Sequence, residues 1–171
     1  MKIRSLFLCA LLAIAGKAFS QEQTVPTKYE LNTKEDYAKY ETEIVMAAKW
    51  LVNTPLNEQQ EKRKEVSAFV VKWVMGSPTV NVELTPIIAD FEKKNPGMMT
   101  IWLASSAKYV IENNHSTDVR AKQKAALHDM IKVYQSGQGI KKDKKMDEVT
   151  KADKNGNLDK WIEENIKMDN R

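Results

Sequence analysis

The stretch best suited to chemistry is Asp153-Lys-Asn-Gly-Asn-Leu-Asp-Lys-Trp-Ile-Glu-Glu164, where oxygen-bearing side chains alternate and a glutamate stands twelfth. A calcium loop of this length takes ligands from positions 1, 3, 5, 7 and 12 and turns sharply on a glycine at position 6. Asp153, Asn155, Asn157 and Glu164 fill the side-chain positions, and Asp159 could offer its carbonyl. Position 6 is Leu158, however, for which a left-handed turn costs about 1–2 kcal/mol. Register is the stronger objection. Leu158, Trp161, Ile162 and Ile166 form a helical stripe only if a helix starts near residue 158, which winds up the second half of the loop. Asn155-Gly156 then reads as a turn and Asn157 as a helix cap. The sequence therefore predicts a helix–turn–helix joint there, with no metal and no cofactor.

Other chemistry is sparse. His128 falls on the helix face opposite Leu127, Met130, Ile131 and Tyr134, and His115 sits in an Asn-Asn-His-Ser loop. Neither has a histidine or carboxylate at metal-ligand spacing on its own helix, so both read as surface residues. No phosphate loop, dinucleotide fingerprint or Gly-x-Ser-x-Gly elbow occurs. An enzyme would need carboxylates brought together from distant segments, and the sequence selects no pair. Three helices contain Lys-Trp followed by an apolar residue, at Trp50, Trp73 and Trp161. Exposed, such rings could stack on sugars and make a glycan module. Trp73, Trp102 and Trp161 fall on apolar faces and Trp50 beside one, which points to core packing. The one basic cluster, Lys141-Lys-Asp-Lys-Lys145, reads as a solvated charged segment, with an anionic lipid or surface polymer as the functional alternative. Nucleic acid is not expected, because a broad basic face with arginine or interleaved aromatics is missing.

The elements that must position these residues are helical. Thr33 with Asp36 forms a capping pattern before Tyr37, Tyr40, Ile44, Ala47, Ala48 and Leu51, which recur at helical spacing up to Pro55. Asn57 with Gln60 repeats it, ahead of an apolar face of Val66, Phe69, Val70, Trp73 and Val74 that ends at Gly76 and Pro78, with Gly76 expected in a left-handed conformation. Residues 79–84 alternate like a strand but lack a partner and read as an extended connector. Thr85-Pro86 opens a short helix. Met98 to Ile111 is apolar around most of its circumference and should be the central helix. Thr117 caps a further long helix ending at Gly137 and Gly139. The fold class is thus an all-α, single-domain bundle of five to six helices around residues 98–111. The expected domain spans 33–168, with a charged connector at 141–156 and a C-terminal helix at 157–168. That last helix either folds back onto the bundle, the expected outcome, or offers Leu158, Trp161, Ile162 and Ile166 to a partner's groove.

The N-terminus carries a basic start, an apolar run from Leu6 to Ala15 and small residues at Ala18 and Ser20, the pattern of a secretory signal over residues 1–20. Ten apolar residues rise about 15 Å as a helix and cannot cross a hydrocarbon core of about 30 Å, so no transmembrane anchor is expected. Residues 21–32 read as a flexible lead-in. Loss of Lys2, Arg4 and Lys17 with the signal lowers the formal charge from +4 to +1. The only cysteine, Cys9, leaves too, which excludes disulfides and thiolate chemistry from the mature chain.

The signal ending Ala-Phe-Ser-Gln, the segment Lys-Trp-Val-Met-Gly-Ser-Pro-Thr-Val-Asn-Val (72–82) and the closing Asn-Leu-Asp-Lys-Trp-Ile (157–162) resemble those of small secreted helical proteins of Gram-negative bacteria that carry no assigned function. The resemblance implies a periplasmic or secreted helical protein and carries no catalytic residue across. The reading is an exported, non-enzymatic protein acting by contact with another envelope or extracellular protein, with no oligomeric state implied. An enzyme with convergent carboxylates, or a calcium or glycan module, is the alternative. Cleavage between Ser20 and Gln21 predicts a mature chain starting at Gln21. Intact-mass measurement on protein exported by its host checks this, and a mature species retaining Met1 or carrying a lipid contradicts it.

Overall fold

A computed structural model describes residues 25, 26 and 28–166. The expected secretory signal and its expected Ser20/Gln21 junction, residues 21–24 and 27 of the lead-in and the last two residues expected in the C-terminal helix lie outside the described residues. Among the described residues there are eight helices: α1 (Lys34–Lys39), α2 (Glu41–Asn53), α3 (Gln60–Gly76), α4 (Pro86–Lys94), α5 (Met98–Glu112), α6 (Val119–Ser136), α7 (Lys144–Lys154) and α8 (Leu158–Asn165). Among the described residues there is no strand, and no helix is long and apolar enough to cross a membrane.

The chain starts as its capping pattern requires. The Asp36 carboxylate accepts from the Thr33 N–H at 2.9 Å, and Thr33 Oγ1 accepts from the Asp36 N–H at 3.3 Å. The single helix expected up to Pro55 is instead broken at Tyr40, which leaves helical geometry at φ −102° and ψ 11°. There Tyr40 joins an aromatic cluster, with its ring centroid 6.2 Å from Phe69 and 6.3 Å from Tyr29. The described part of the lead-in is therefore laid against the bundle, Tyr29 meeting Phe69 edge-on at 4.9 Å. Gly76 is also not as expected. It ends α3 without a left-handed conformation, and its role is space: a Cβ there would collide with the Tyr37 hydroxyl.

α5 is the centre of the molecule. Met98, Ile101, Trp102, Ala104, Ser105, Ser106 and Ala107 are fully buried, and the helix packs on α2, α3, α4 and α6. Each large apolar side chain buried there contributes about 1.5–3 kcal/mol relative to exposure. The N-terminus of α5 has no acidic residue of its own. Glu92 of α4 supplies one: its carboxylate accepts from the N–H groups of Gly97 at 3.0 Å and Met99 at 2.9 Å. The connector read over 79–84 forms neither helix nor strand and is held by Trp102, whose indole N–H donates to the Glu83 carbonyl at 3.1 Å. Lys122 of α6, a buried lysine, donates to the Asn81 carbonyl and pairs with Glu83 Oε2 at 3.0 Å.

Three expected caps differ. Asp118, not Thr117, caps α6 by accepting from the Ala121 N–H at 2.9 Å. Gln59 in a left-handed conformation, not Asn57, precedes α3, and Asn157 precedes α8 without a side-chain cap bond. The largest departure is residues 141–156, expected as a charged connector. Asp143 caps a regular helix there by accepting from the N–H groups of Lys145 and Met146. Met146 and Val149 are buried and Ala152 half-buried, one narrow stripe at three-residue spacing. Asp147 in the first turn and Lys151 and Lys154 in the last complement the helix dipole. This stripe is what the weak periodicity concealed.

α8 docks on α6 and α7. Leu158, Trp161, Ile162 and Ile166 retain 2%, 8%, 1% and 3% of their exposure. These four side chains face the protein's own bundle and are therefore not a contact surface in the folded molecule. Trp161→Ala is expected to lower unfolding free energy by about 3–5 kcal/mol, the cost of emptying a large aromatic site. Urea denaturation reads it, and an unchanged curve would return these side chains to a partner-facing role.

Candidate functional site

The calcium-like stretch is divided by the fold. Asp153 lies in the last turn of α7, Asn155 and Gly156 form the turn, and α8 begins at Leu158. Gly156 takes the left-handed conformation, φ 70°, at the corner. Asp153 Oδ1 faces His128 Nε2 at 3.0 Å. Asp159 pairs with Lys124 at 2.7 Å, and its carbonyl, the presumptive seventh-position ligand, accepts from Arg120 Nη1 at 2.8 Å. Asn155, Asn157 and Glu164 do share one hollow of about 340 Å³ with Glu148 and Trp161. The five proposed ligands therefore do not converge. Among the described residues, no group of three or more His, Cys, Asp or Glu side chains is placed to hold a metal.

Both histidines are exposed, as expected, but each meets a carboxylate from a remote element. His128 meets Asp153, and His115 Nε2 lies 2.8 Å from Glu41 Oε1. These pairs span the fold, so no local spacing announces them. The tryptophans pack as read. Trp73 and Trp102 are fully buried, and Trp50 is half-buried beneath Lys62 at 5.1 Å and Arg63 at 5.4 Å from its ring.

The feature that the sequence undervalued is the lysine run after α6. Its backbone is gripped by two side chains, Asn95 far away in sequence and Tyr134 nine positions before Asp143. Asn95, buried at the end of α4, accepts from the Lys141 N–H at 2.6 Å and donates to the Lys141 carbonyl at 3.0 Å, as a neighbouring strand would. The Tyr134 hydroxyl accepts from the Asp143 N–H at 2.9 Å and directs its own proton toward Asp147 Oδ1 at 2.8 Å and the Asp143 carbonyl at 3.1 Å. Burial raises the Tyr134 hydroxyl above the ordinary tyrosine range, and the nearby Asp147 adds to this, so it stays a donor.

Thus held, the run forms one wall of an open groove of about 790 Å³, with Asp90, Lys93 and Lys94 of α4 opposite Lys142 to Lys145. Five lysines face two aspartates, a formal excess of three positive charges. Asp143 spends its carboxylate on the α7 N-terminus. Asp90 bridges the walls, with Oδ1 at 3.2 Å from Lys93 and Oδ2 at 2.5 Å from Lys145. The hydrogen bonds from Lys145 and Lys93 hold the Asp90 carboxyl below the usual range, and Asp90 correspondingly raises Lys145. Lys94, Lys142 and Lys144 have no ion pair among the described residues. Such an arrangement attracts anionic groups and has no evident bond-breaking chemistry.

Asn95→Ala leaves both backbone groups of Lys141 unpaired, an expected loss of about 1–3 kcal/mol. Hydrogen exchange at residues 140–145 should accelerate more than in α5, and unchanged exchange there would mean the lysine wall is not held by Asn95. Comparison with protein-family models, with curated proteins and with solved structures gave no match, so the groove's own chemistry carries the functional reading.

Proposed function

We propose that this chain is an exported, non-enzymatic protein that works by contact, its lysine groove receiving an acidic surface of another envelope or extracellular protein. The observation that carries the reading is the grip of Asn95 and Tyr134 on the lysine wall. That grip holds the lysine backbone in place before any partner arrives. A single exposed ion pair is worth about 0–1 kcal/mol, much of it lost to ordering two long side chains. Fixing the backbone of four lysines beforehand removes part of that entropic cost from binding. The groove would also steer an acidic partner during its approach.

Export rests on the N-terminal pattern and on the resemblance to small secreted helical proteins. A glycan module or an enzyme would reside in the hollow between α7 and α8, where Glu148 and Glu164 share a space with Trp161. Trp161 is only 8% exposed, too little for a sugar to stack upon its ring.

Replacing Lys94, Lys142 and Lys144 by serine changes only exposed side chains and leaves the bundle intact. Chemical cross-linking of the tagged protein in its native envelope and culture medium is expected to recover an acidic partner that the triple variant loses. The complex should also dissociate near 1 M salt, where the screening length falls to about 3 Å. A partner retained by the variant moves the contact site elsewhere, and recovery of none sinks the reading.

A further inference from the structure

We infer that Asp90 makes the groove selective for an extended acidic polypeptide segment with spaced carboxylates, in preference to a densely charged polyanion such as a sulfated polysaccharide. The inference rests on the contact reading above. Asp90 stands between the two walls, one carboxylate oxygen on Lys93 and the other on Lys145. It therefore divides the cations into an α4 group, Lys93 and Lys94, and a group on the loop and first turn of α7, Lys142, Lys144 and Lys145. A ligand crossing from one group to the other must pass a negative charge.

Two properties of a polypeptide suit that crossing. In an extended chain, side chains two to three residues apart are separated by roughly 7–10 Å, so two carboxylates can straddle Asp90 with neutral residues over it. A carboxylate also has about four acceptor sites, of which the two lysines use two. The peptide's own N–H groups can donate to the remainder. A sulfated chain brings anionic oxygens that only accept, at short intervals, and one of them must lie against Asp90. The two walls also enclose the ligand from both sides, which suits a strand of chain better than a flat membrane surface.

The test uses fluorescence anisotropy at low salt on the chain without residues 1–20. One probe is a labelled peptide with glutamate at every third position among serine and glycine, and the other is a sulfated oligosaccharide of equal total charge. The native protein is expected to bind the peptide about tenfold more tightly. Asp90→Asn should strengthen oligosaccharide binding about tenfold while changing peptide binding less than about threefold, which narrows or abolishes the preference. Asp90→Ser serves as a second variant should the amide disturb folding, with melting curves as the control. Equal or tighter oligosaccharide binding by the native protein overturns the assigned ligand class. Equal gains for both probes reduce Asp90 to a general counter-charge and overturn its selective role. Failure of both probes to bind the native protein instead removes the contact reading itself.

Discussion

α5 gives little of its surface to solvent, and the rest of the molecule is arranged by that constraint. A helix buried around nearly its whole circumference must be enclosed, and α2, α3, α4 and α6 do this. Enclosure leaves the connecting segments to run over the outside, where each would otherwise expose unpaired backbone. The fold answers with one or two polar side chains per crossing. Arg63 donates to the carbonyls of Thr54 and Pro55 at the α2–α3 turn. Lys122 and Trp102 hold the connector after α3, Glu92 holds the α4–α5 turn, and Asn95 with Tyr134 holds the loop after α6.

These anchors explain why buried polar groups occur in a chain with few polar motifs. Arg63 is buried with no carboxylate partner among the described residues, and burial lowers its pKa from the ordinary arginine value. Its compensation comes from the C-terminal end of α2, where carbonyls and the helix dipole favour a cation. Lys122 is equally buried but has both a carbonyl and the Glu83 carboxylate. In each case a core helix extends a long side chain outward to fix a loop, so loop position and core packing are coupled.

Legibility in the sequence followed the range of the interaction. The α5 core, the Thr33 capping box, the connector at 79–84 and the start of α8 at Leu158 depend on neighbours within a turn or two and were read from spacing. α7 was missed because its apolar stripe is only Met146, Val149 and Ala152 in a heavily charged stretch, and the deciding cap is Asp143, hidden among lysines. The break at Tyr40 depends on Tyr29 and Phe69, and the space required at Gly76 depends on Tyr37, partners that local patterns do not name. The groove was undervalued for the same reason. Asn95 lies 46 positions from Lys141, and nothing local distinguishes a gripped lysine run from a solvated one.

That grip separates a structural account of the lysines from a functional one. Stability alone favours mixed charges on a surface, since like charges close together repel and each unpaired one adds to the repulsion. Several lysines elsewhere follow this: Lys49 pairs with Glu112, Lys108 with Asp129 and Lys124 with Asp159, while Lys34, Lys151 and Lys154 have no ion pair among the described residues. Around the groove three such lysines lie together. Lys94, Lys142 and Lys144 stand without partners beside a single shared aspartate, on a backbone denied the freedom to spread them apart. A loop free to relax would lower that repulsion by moving, and the bonds to Asn95 and the Tyr134 hydroxyl oppose that movement. Anchoring the wall makes the repulsion persistent in the free protein, so an arriving anion gains both its own attraction and relief of that repulsion.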